Sequence, residues 1–182
     1  MESLTDGIAH VLISEERIQR RVAELGAEIS GDYQGRNPLL ICVLKGGYVF
    51  LADLTRALTI RHGVDFMAIS SYGASTRSTG VVRILKDLDR DITNRHILIV
   101  EDIIDTGHTL AYLLENLGVR NPASIRLCTL LNKTCRREVD MPVDYVGFEV
   151  GDEFVIGYGL DYAEVYRNLP YIAVLKPEMY EK

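Results

Sequence analysis

The sequence predicts an α/β fold in which a mainly parallel, twisted sheet is flanked by helices. Two observations support this class. Residues 39–44 and 97–100 are apolar at successive positions, which is typical of strands buried on both faces of a parallel sheet. Such runs alternate along the chain with segments of helical periodicity, and this alternation is characteristic of α/β sheets.

The first predicted helix begins near Ser14, a residue type that caps helices, and ends near Gly26 or Gly31. Its apolar positions are three or four residues apart: Ile18, Val22 and Leu25. Leucines at the same spacing predict two more helices, over residues 51–58 and from 110 to about Gly118. Strands are expected at 39–44, 64–69, 97–100, 125–131, 145–148 and 154–158.

Residues 70–80 are small, polar and rich in serine, which predicts a mobile loop. Residues 81–91 then alternate apolar with charged side chains, as a half-exposed strand pair would. A chain of 182 residues with 47% hydrophobic content is long enough for one sizeable core and too short for two ordinary domains. We therefore expect a single domain with a small appendage.

The composition of the chain also limits which classes of binding partner are expected. The formal net charge is −6 and no basic run is concentrated, which argues against nucleic acid. No basic-then-apolar leader and no bilayer-length apolar stretch is seen, so no membrane partner is expected. Three cysteines lack metal-ligand spacing, and Cys42 and Cys128 lie in apolar runs as core residues would. A reducing, cytoplasmic location is expected.

The segment after the apolar run 97–100 predicts an anion site. It joins the end of a buried strand to the start of a helix, where free amides and the helix dipole favour a phosphate. A glycine lets the backbone approach a ligand, and two threonines add hydroxyl groups. The predicted phosphate-binding residues are Asp105, Thr106, Gly107, His108 and Thr109.

Two acids precede this loop. Glu101 and Asp102 would repel a phosphorylated ligand unless a divalent cation lay between them, and Mg²⁺ commonly bridges one or two carboxylates to substrate oxygens. Neighbouring strand residues point to opposite faces, so we expect only one of the two beside the ligand. Asp105 can be interpreted either as a functional carboxylate or as a helix cap.

A second anion site is predicted where the strand 39–44 ends in Leu44-Lys45-Gly46-Gly47. Adjacent glycines allow successive amides to turn inward as a nest for oxyanions. Taken alone, a Gly-Gly pair after a strand is weak evidence for such a site, because it usually forms only a tight turn.

The segment from residue 97 to 110, which contains the two acids and the predicted anion loop, resembles the phosphoribosyl-pyrophosphate signature of the type I phosphoribosyltransferases. The resemblance is to the bacterial hypoxanthine-guanine branch in particular. Other motifs of that family occur in the same order between about residues 39 and 167: Leu44-Lys45-Gly46-Gly47, Ser71-Tyr72, Lys133, residues 146–149 and residues 154–162. The resemblance implies a core over about 36–145, a small hood from about 1–15 and 146–182, and a flexible lid loop over about 70–92.

The resemblance further implies that a purine ring nitrogen displaces pyrophosphate from ribose C1 of phosphoribosyl pyrophosphate, with Mg²⁺ as cofactor. Asp105 would lie near purine N7, as proton acceptor or electrostatic partner. Leu44, Lys45, Gly46 and Arg167 would bind pyrophosphate, with a cis peptide bond at Leu44-Lys45. The metal side would comprise Glu101, Asp102 and, for a second ion, Asp161.

The purine side is also assigned by resemblance. Lys133 would donate to the exocyclic oxygen of a 6-oxopurine, which favours hypoxanthine and guanine over adenine. Phe154 would stack on the base, the Val155 backbone would meet the base edge, and Asp161 would complete this side. Ser71 and Tyr72 would close over the site and exclude water.

His108 departs from the family pattern, in which a lysine or a small residue is found, and its side chain could add pH dependence to phosphate binding. Three interpretations stay open: an enzyme for hypoxanthine and guanine, a relative that prefers xanthine, and a non-enzymatic sensor of the sugar pyrophosphate. The charge of −6 speaks against a transcript-binding sensor. Relatives form homodimers or homotetramers, and either is expected.

Overall fold

The computed structural model describes residues 5–71 and 82–181. Its strands and helices run in this order: β1 (Ile8–Ile13), α1 (Glu15–Asp32), β2 (Leu39–Leu44), α2 (Tyr48–Ala57), β3 (Gly63–Ser71), β4 (Val82–Lys86), β5 (His96–Ile104), α3 (His108–Gly118), β6 (Ser124–Asn132), β7 (Tyr145–Glu149), β8 (Val155–Ile156) and β9 (Ile172–Leu175). Two short 3₁₀ turns complete the list: Thr134–Arg136 lies between β6 and β7, and Pro177–Met179 lies after β9.

The larger sheet has six strands in the order β4-β3-β2-β5-β6-β7. All neighbours are parallel except β3 and β4, which are antiparallel. The predicted α/β class with a mainly parallel sheet is therefore confirmed. The carboxyl ends of the parallel strands meet along one edge, which is where ligands bind in such sheets.

Both faces of this sheet are covered, as the apolar runs predict. Along β2, Leu40 and Cys42 pack on the side of α1 and α2, whereas Leu39, Ile41 and Val43 pack on the side of α3. This period of two assigns residues 39–43 to the two cores, whereas Leu44 is only partly buried. Burying one such aliphatic side chain completely stabilises the folded protein by about 1.5–3 kcal/mol relative to leaving it exposed to water.

The cysteine prediction is confirmed as well. Cys42 and Cys128 are buried in the core, and burial raises the pKa of the Cys42 thiol to about 12. Burial also raises the pKa of the Cys128 thiol. Both thiols therefore stay protonated, which makes them unreactive.

A second, three-stranded sheet joins the two ends of the chain in the order β1-β9-β8. β1 pairs antiparallel with β9, so that Ile8 lies opposite Leu175 and Val11 lies opposite Ala173. We did not predict β1 and β9, because the partners that stabilise them are more than 150 residues apart in sequence. This sheet corresponds to the hood expected from the two chain ends.

Some predicted boundaries differ from the observed ones. Of the strand expected at 154–158, only the two residues of β8 form a strand. The strand ends there because Gly157 (φ +95°) and Tyr158 (φ +50°) lie in the left-handed region of backbone conformation. β7 joins the larger sheet, which thus extends past the expected core boundary at residue 145. Only one strand, β4, forms between residues 82 and 91, and it pairs with β3.

β4 thus occupies part of the expected lid loop, 70–92, and Ser71 is the last residue of β3. Tyr72 lies outside the described residues, as do residues 73–81. In the part of the chain that the structure describes, no helix combines the length and apolar character needed to cross a bilayer.

Candidate active site

A pocket of about 250 Å³ opens at the carboxyl edge of the larger sheet. Its walls come from the ends of β2, β3 and β5 and from the loop that leads into α3. The lining residues are Val43, Leu44, Ile69, Glu101, Ile103, Ile104, Asp105, Thr106, Gly107, Thr109 and Leu110. Four of the five residues predicted to bind phosphate therefore line one cavity together with one of the two predicted acids.

The loop between β5 and α3 forms an anion site at the start of the helix. Gly107 is the N-terminal cap residue with φ +91°, a conformation that favours glycine. A Cβ atom there would lie 2.8 Å from Met141 Cε and 3.2 Å from Arg137 Cδ. Within the described residues, no backbone oxygen accepts from the amides of His108, Thr109 and Leu110. These amides and the positive end of the α3 dipole can bind a phosphate.

Asp105 precedes this loop and is not the cap residue of α3, which is Gly107. Its Oδ1 atom is buried and accepts no hydrogen bond from the described residues. The guanidinium Nε of Arg136 is 3.7 Å from Oδ1, a distance too long for a hydrogen bond. Of the two interpretations left open for Asp105, this geometry favours the functional carboxylate.

Glu101 and Asp102 point to different sides of β5. Glu101 lines the pocket, whereas Asp102 faces the loop after β2: a Cβ atom on Gly46 would lie 1.6 Å from Asp102 Oδ2. Burial raises the pKa of Asp102 to about 6, although the Ile103 amide and Arg167 partly offset the increase. Burial, and then the charge of Asp102, raise the pKa of Glu101 well above its usual range.

Each of these buried carboxylates fits a nearby cation, because a positive charge beside it would offset the cost of keeping the acid ionised out of water. Within residues 5–71 and 82–181, no group of three His, Cys, Asp or Glu side chains is arranged to hold a metal. Mg²⁺ typically takes only one or two carboxylates and completes its shell with water and substrate oxygens.

The loop after β2 has the features expected of a pyrophosphate nest. The Leu44-Lys45 peptide bond is cis, as the resemblance implies. Gly46 and Gly47 leave no room for side chains, since a Cβ atom on Gly47 would lie 2.9 Å from Cys42 Sγ. Lys45 Nζ is 2.9 Å from Glu164 Oε2 in an exposed ion pair.

Residues 159–167 form a tight turn against that loop. A Cβ atom on Gly159 would lie 2.2 Å from the Gly46 carbonyl oxygen, so the two backbones touch. Arg167 Nη2 is 2.7 Å from Asp161 Oδ1, and Arg167 Nη1 donates to the Gly159 carbonyl at 2.8 Å. Asp161 and Arg167 therefore lie beside the predicted pyrophosphate loop, paired with each other.

Lys133 is not a surface residue. Only 5% of it is exposed, and its Nζ donates to the Glu153 carbonyl at 2.8 Å, next to Phe154 and Val155. Phe154 is 36% exposed, and Val155 is buried in β8. The structure thus brings the predicted purine-binding residues Lys133, Phe154 and Val155 together.

Several residues that the sequence did not indicate contribute to this edge. Phe154 is stacked on Tyr180 at 4.9 Å between ring centroids and meets Tyr162 edge-on at 5.7 Å. The amides of Glu138 and Val139 donate to the Thr106 carbonyl, and Glu138 Oε2 is 2.7 Å from His108 Nε2. Only the aromatic character of Tyr162 and Tyr180 was a signal, and it is not specific.

Comparison with known proteins shows the family to which this chain belongs. The family model described as "Phosphoribosyl transferase domain" matches residues 13–163, and the chain belongs to that family. It is 57% identical over 174 residues to the hypoxanthine-guanine phosphoribosyltransferase of Bacillus subtilis, covering 96% of this chain and 97% of the relative. It is 52% identical to the enzyme of the same name from Mycobacterium tuberculosis strain H37Rv, covering 96% and 89%.

Solved structures show the same relationship. A crystal structure of a hypoxanthine phosphoribosyltransferase from Staphylococcus aureus superimposes with a TM-score of 0.95 at 46% identity, and all of both chains is covered. A hypoxanthine-guanine phosphoribosyltransferase from Bacillus anthracis, with a HEPES molecule in its active site, matches with a TM-score of 0.89 at 47% identity, covering 93% of this chain and 99% of that one.

Proposed function

We propose that this protein transfers the 5-phosphoribosyl group of phosphoribosyl pyrophosphate to N9 of hypoxanthine or guanine, giving IMP or GMP and pyrophosphate. The observation that carries the proposal is a single sheet edge with two halves. One half is the anion pocket after β5, and the other is the buried Lys133 beside Phe154 and Val155. Relatives at 52% and 57% identity bear the corresponding name.

In this reaction the bond between ribose C1 and a pyrophosphate oxygen breaks, a bond between C1 and purine N9 forms, and the purine gives up one ring proton. Positive charge develops on the sugar, as in glycoside cleavage. The amides of Thr106, Gly107, His108 and Thr109, with the threonine hydroxyls, bind the 5′-phosphate. The buried Oδ1 of Asp105, which accepts no hydrogen bond from the described residues, would face the purine and either accept its proton or stabilise the cationic transition state.

The leaving group is bound by the other loop. The backbone of Leu44, Lys45 and Gly46 and the side chain of Arg167 bind pyrophosphate, and the Lys45 ammonium leaves Glu164 for the ligand. Glu101 and Asp102 are the residues that would hold Mg²⁺, which would supply positive charge to stabilise the leaving pyrophosphate. Asp161, released from Arg167, would hold a second ion on that side.

Base selection rests on Lys133. An ammonium donates hydrogen bonds and accepts none, so it pairs with the 6-oxo group of hypoxanthine or guanine and not with the amino group of adenine. Phe154 stacks on the base and the Val155 backbone meets its edge. The protein is proposed to be cytoplasmic and to assemble as a homodimer or homotetramer.

The test is an ultraviolet assay of nucleotide formation from phosphoribosyl pyrophosphate with hypoxanthine, guanine, xanthine or adenine, with and without Mg²⁺. Turnover of hypoxanthine and guanine that needs Mg²⁺, with adenine inert, is the expected result. Turnover of xanthine above the other bases would identify a xanthine-preferring enzyme. Binding of phosphoribosyl pyrophosphate without turnover of any base would identify a sensor and overturn the proposal.

A further inference from the structure

We propose that Arg137 is a positioning residue that holds the phosphate half and the purine half of the active site in register. The inference rests on the proposed function. Arg137 lies just after the 3₁₀ turn Thr134–Arg136 and is not itself among the residues expected to touch either substrate. Its side chain nevertheless reaches from one half of the site to the other.

The contacts of Arg137 define this bridge. Its Nε donates to the Asp105 carbonyl at 3.2 Å, and its Nη2 donates to Asn132 Oδ1. Its Cδ atom packs against Gly107, since a Cβ atom built there would lie 3.2 Å away. One guanidinium thus fixes the backbone of Asp105 and the last residue of β6.

Asn132 gives the bridge a rigid anchor. It is only 6% exposed, and its Nδ2 donates to Glu149 Oε1 at 2.8 Å on the neighbouring β7. Lys133 follows Asn132 directly, and its own amide donates to the Ile104 carbonyl at 3.0 Å. A shift of the Asp105 loop relative to β6 would therefore change the distance between the Asp105 carboxylate and the Lys133 ammonium.

Arginine suits this position because its planar fork presents several donors at fixed angles. A lysine ends in a single ammonium nitrogen and cannot present two separate nitrogens at fixed angles to the two acceptors. The neighbouring Arg136 does not share the role: its side chain is 51% exposed, and its Nε lies 3.2 Å from Asp152 Oδ1 and 3.7 Å from Asp105 Oδ1, without a hydrogen bond to the Asp105 backbone. The bridge is made by Arg137 alone among the side chains described at this edge.

The test compares three variants with the wild type. Arg137→Met keeps the aliphatic packing on Gly107 but removes both donor nitrogens, and Arg137→Lys keeps the charge on a single donor nitrogen. Arg20→Met is the matched control on the exposed side of α1. Misplacement of reacting groups by about 1 Å costs on the order of 10²-fold in rate. We expect kcat of Arg137→Met to fall about 10- to 100-fold, with Arg137→Lys in between.

Measuring the binding of phosphoribosyl pyrophosphate distinguishes a loss of positioning from a general loss of folding. The Thr106 carbonyl is still held by the amides of Glu138 and Val139, so the phosphate site persists, and the Kd for phosphoribosyl pyrophosphate should stay within about 3-fold of wild type. Wild-type kcat in Arg137→Met, or parallel losses of kcat, binding and Tm in Arg137→Lys, would overturn the inference. Absence of turnover in the wild type would instead refute the proposed function itself.

Discussion

Asp105 has one carboxylate oxygen that is buried and accepts no hydrogen bond from the described residues. Replacing it by asparagine keeps the shape but removes the charge and the ability to take a proton. A positioned acid or base contributes about 10²–10⁴-fold, so Asp105→Asn should lower kcat by about 10²-fold or more. The Kd for phosphoribosyl pyrophosphate, measured by calorimetry, should remain close to wild type, because the phosphate amides are unchanged.

Thr109 lines the same pocket, where its hydroxyl can donate to the 5′-phosphate. A hydrogen bond to a charged group contributes about 1.5–3 kcal/mol, so Thr109→Val should raise the Kd for phosphoribosyl pyrophosphate by about 10- to 100-fold. Thr55→Val is the control, since the Thr55 hydroxyl donates only to Ala52 in α2. Equal losses of binding in Thr109→Val and Asp105→Asn would contradict the separate roles assigned to these residues.

Lys133 donates to a backbone carbonyl in the described structure, and in the proposed complex it also donates to the purine 6-oxo group. Lys133→Met should raise KM for hypoxanthine and guanine by about 10- to 100-fold through loss of a charged hydrogen bond. Lys176→Met is a matched control, because Lys176 Nζ donates to the Asp6 carbonyl at 2.8 Å, in the hood. A similar rise of KM in both variants would show that general destabilisation is responsible.

At the scale of elements, three of them meet at one polar cluster on the opposite edge of the sheet. Asp32, the last residue of α1, accepts 2.7 Å hydrogen bonds from the Tyr145 hydroxyl of β7 and from Arg126 Nη1 of β6. The Tyr145 hydroxyl, followed by Arg126, lowers the pKa of the Asp32 carboxyl below its usual 3.8. The cluster thus ties the end of the helix to two strands.

This cluster predicts a pH-dependent stability. Because the folded-state pKa of Asp32 lies below its unfolded value, its stabilisation is present above about pH 4 and is lost as pH falls through the folded-state pKa. Asp32→Asn should therefore lower the free energy of unfolding near pH 7 by about 1 kcal/mol, discounted for its half-exposed side chain.

The measurement is urea unfolding of wild type and Asp32→Asn at pH 7 and at successively lower pH. The difference between the two proteins should shrink toward zero below pH 4. Asp140→Asn, at an exposed position, is the control and should show no such trend. A difference that stays constant with pH would mean that the charge of Asp32 is not what stabilises the contact.

At the scale of the whole molecule, the two chain ends pair with each other and carry β8 onto the purine half of the site. Leu175 of β9 lies opposite Ile8 and is fully buried. Leu175→Ala should cost about 2–5 kcal/mol, the range for deleting a buried aliphatic side chain. Leu85→Ala, at a side chain that is 61% exposed, should cost less than about 0.5 kcal/mol in the same urea titration.

We also expect Leu175→Ala to change activity when it is assayed without urea, under conditions in which the variant remains folded. Val155 of β8 lies opposite Val174 of β9, so loosening β9 should raise KM for the purine more than KM for phosphoribosyl pyrophosphate. Equal changes in both KM values would indicate that the hood does not act selectively on the purine half.

Local sequence was sufficient where the relevant contacts are local. The run 97–100 predicts a strand buried on both faces, and the small residues after Asp105 predict the anion loop, because period and turn chemistry are properties of neighbouring residues. The opposite orientations of Glu101 and Asp102 follow from the pleat alone. Resemblance to a family then supplied the roles of Lys133, Phe154 and Asp161, which no local pattern assigns.

Only the tertiary structure decided the features made by residues far apart in the chain. The hood strands β1 and β9 stabilise each other across more than 150 residues, Tyr180 stacks on Phe154, and Arg137 bridges Asp105 and Asn132. Likewise, Lys133 becomes a buried donor because β8 brings Glu153 beside it. Such contacts depend on how elements pack, and a single sequence contains no periodic signal for them.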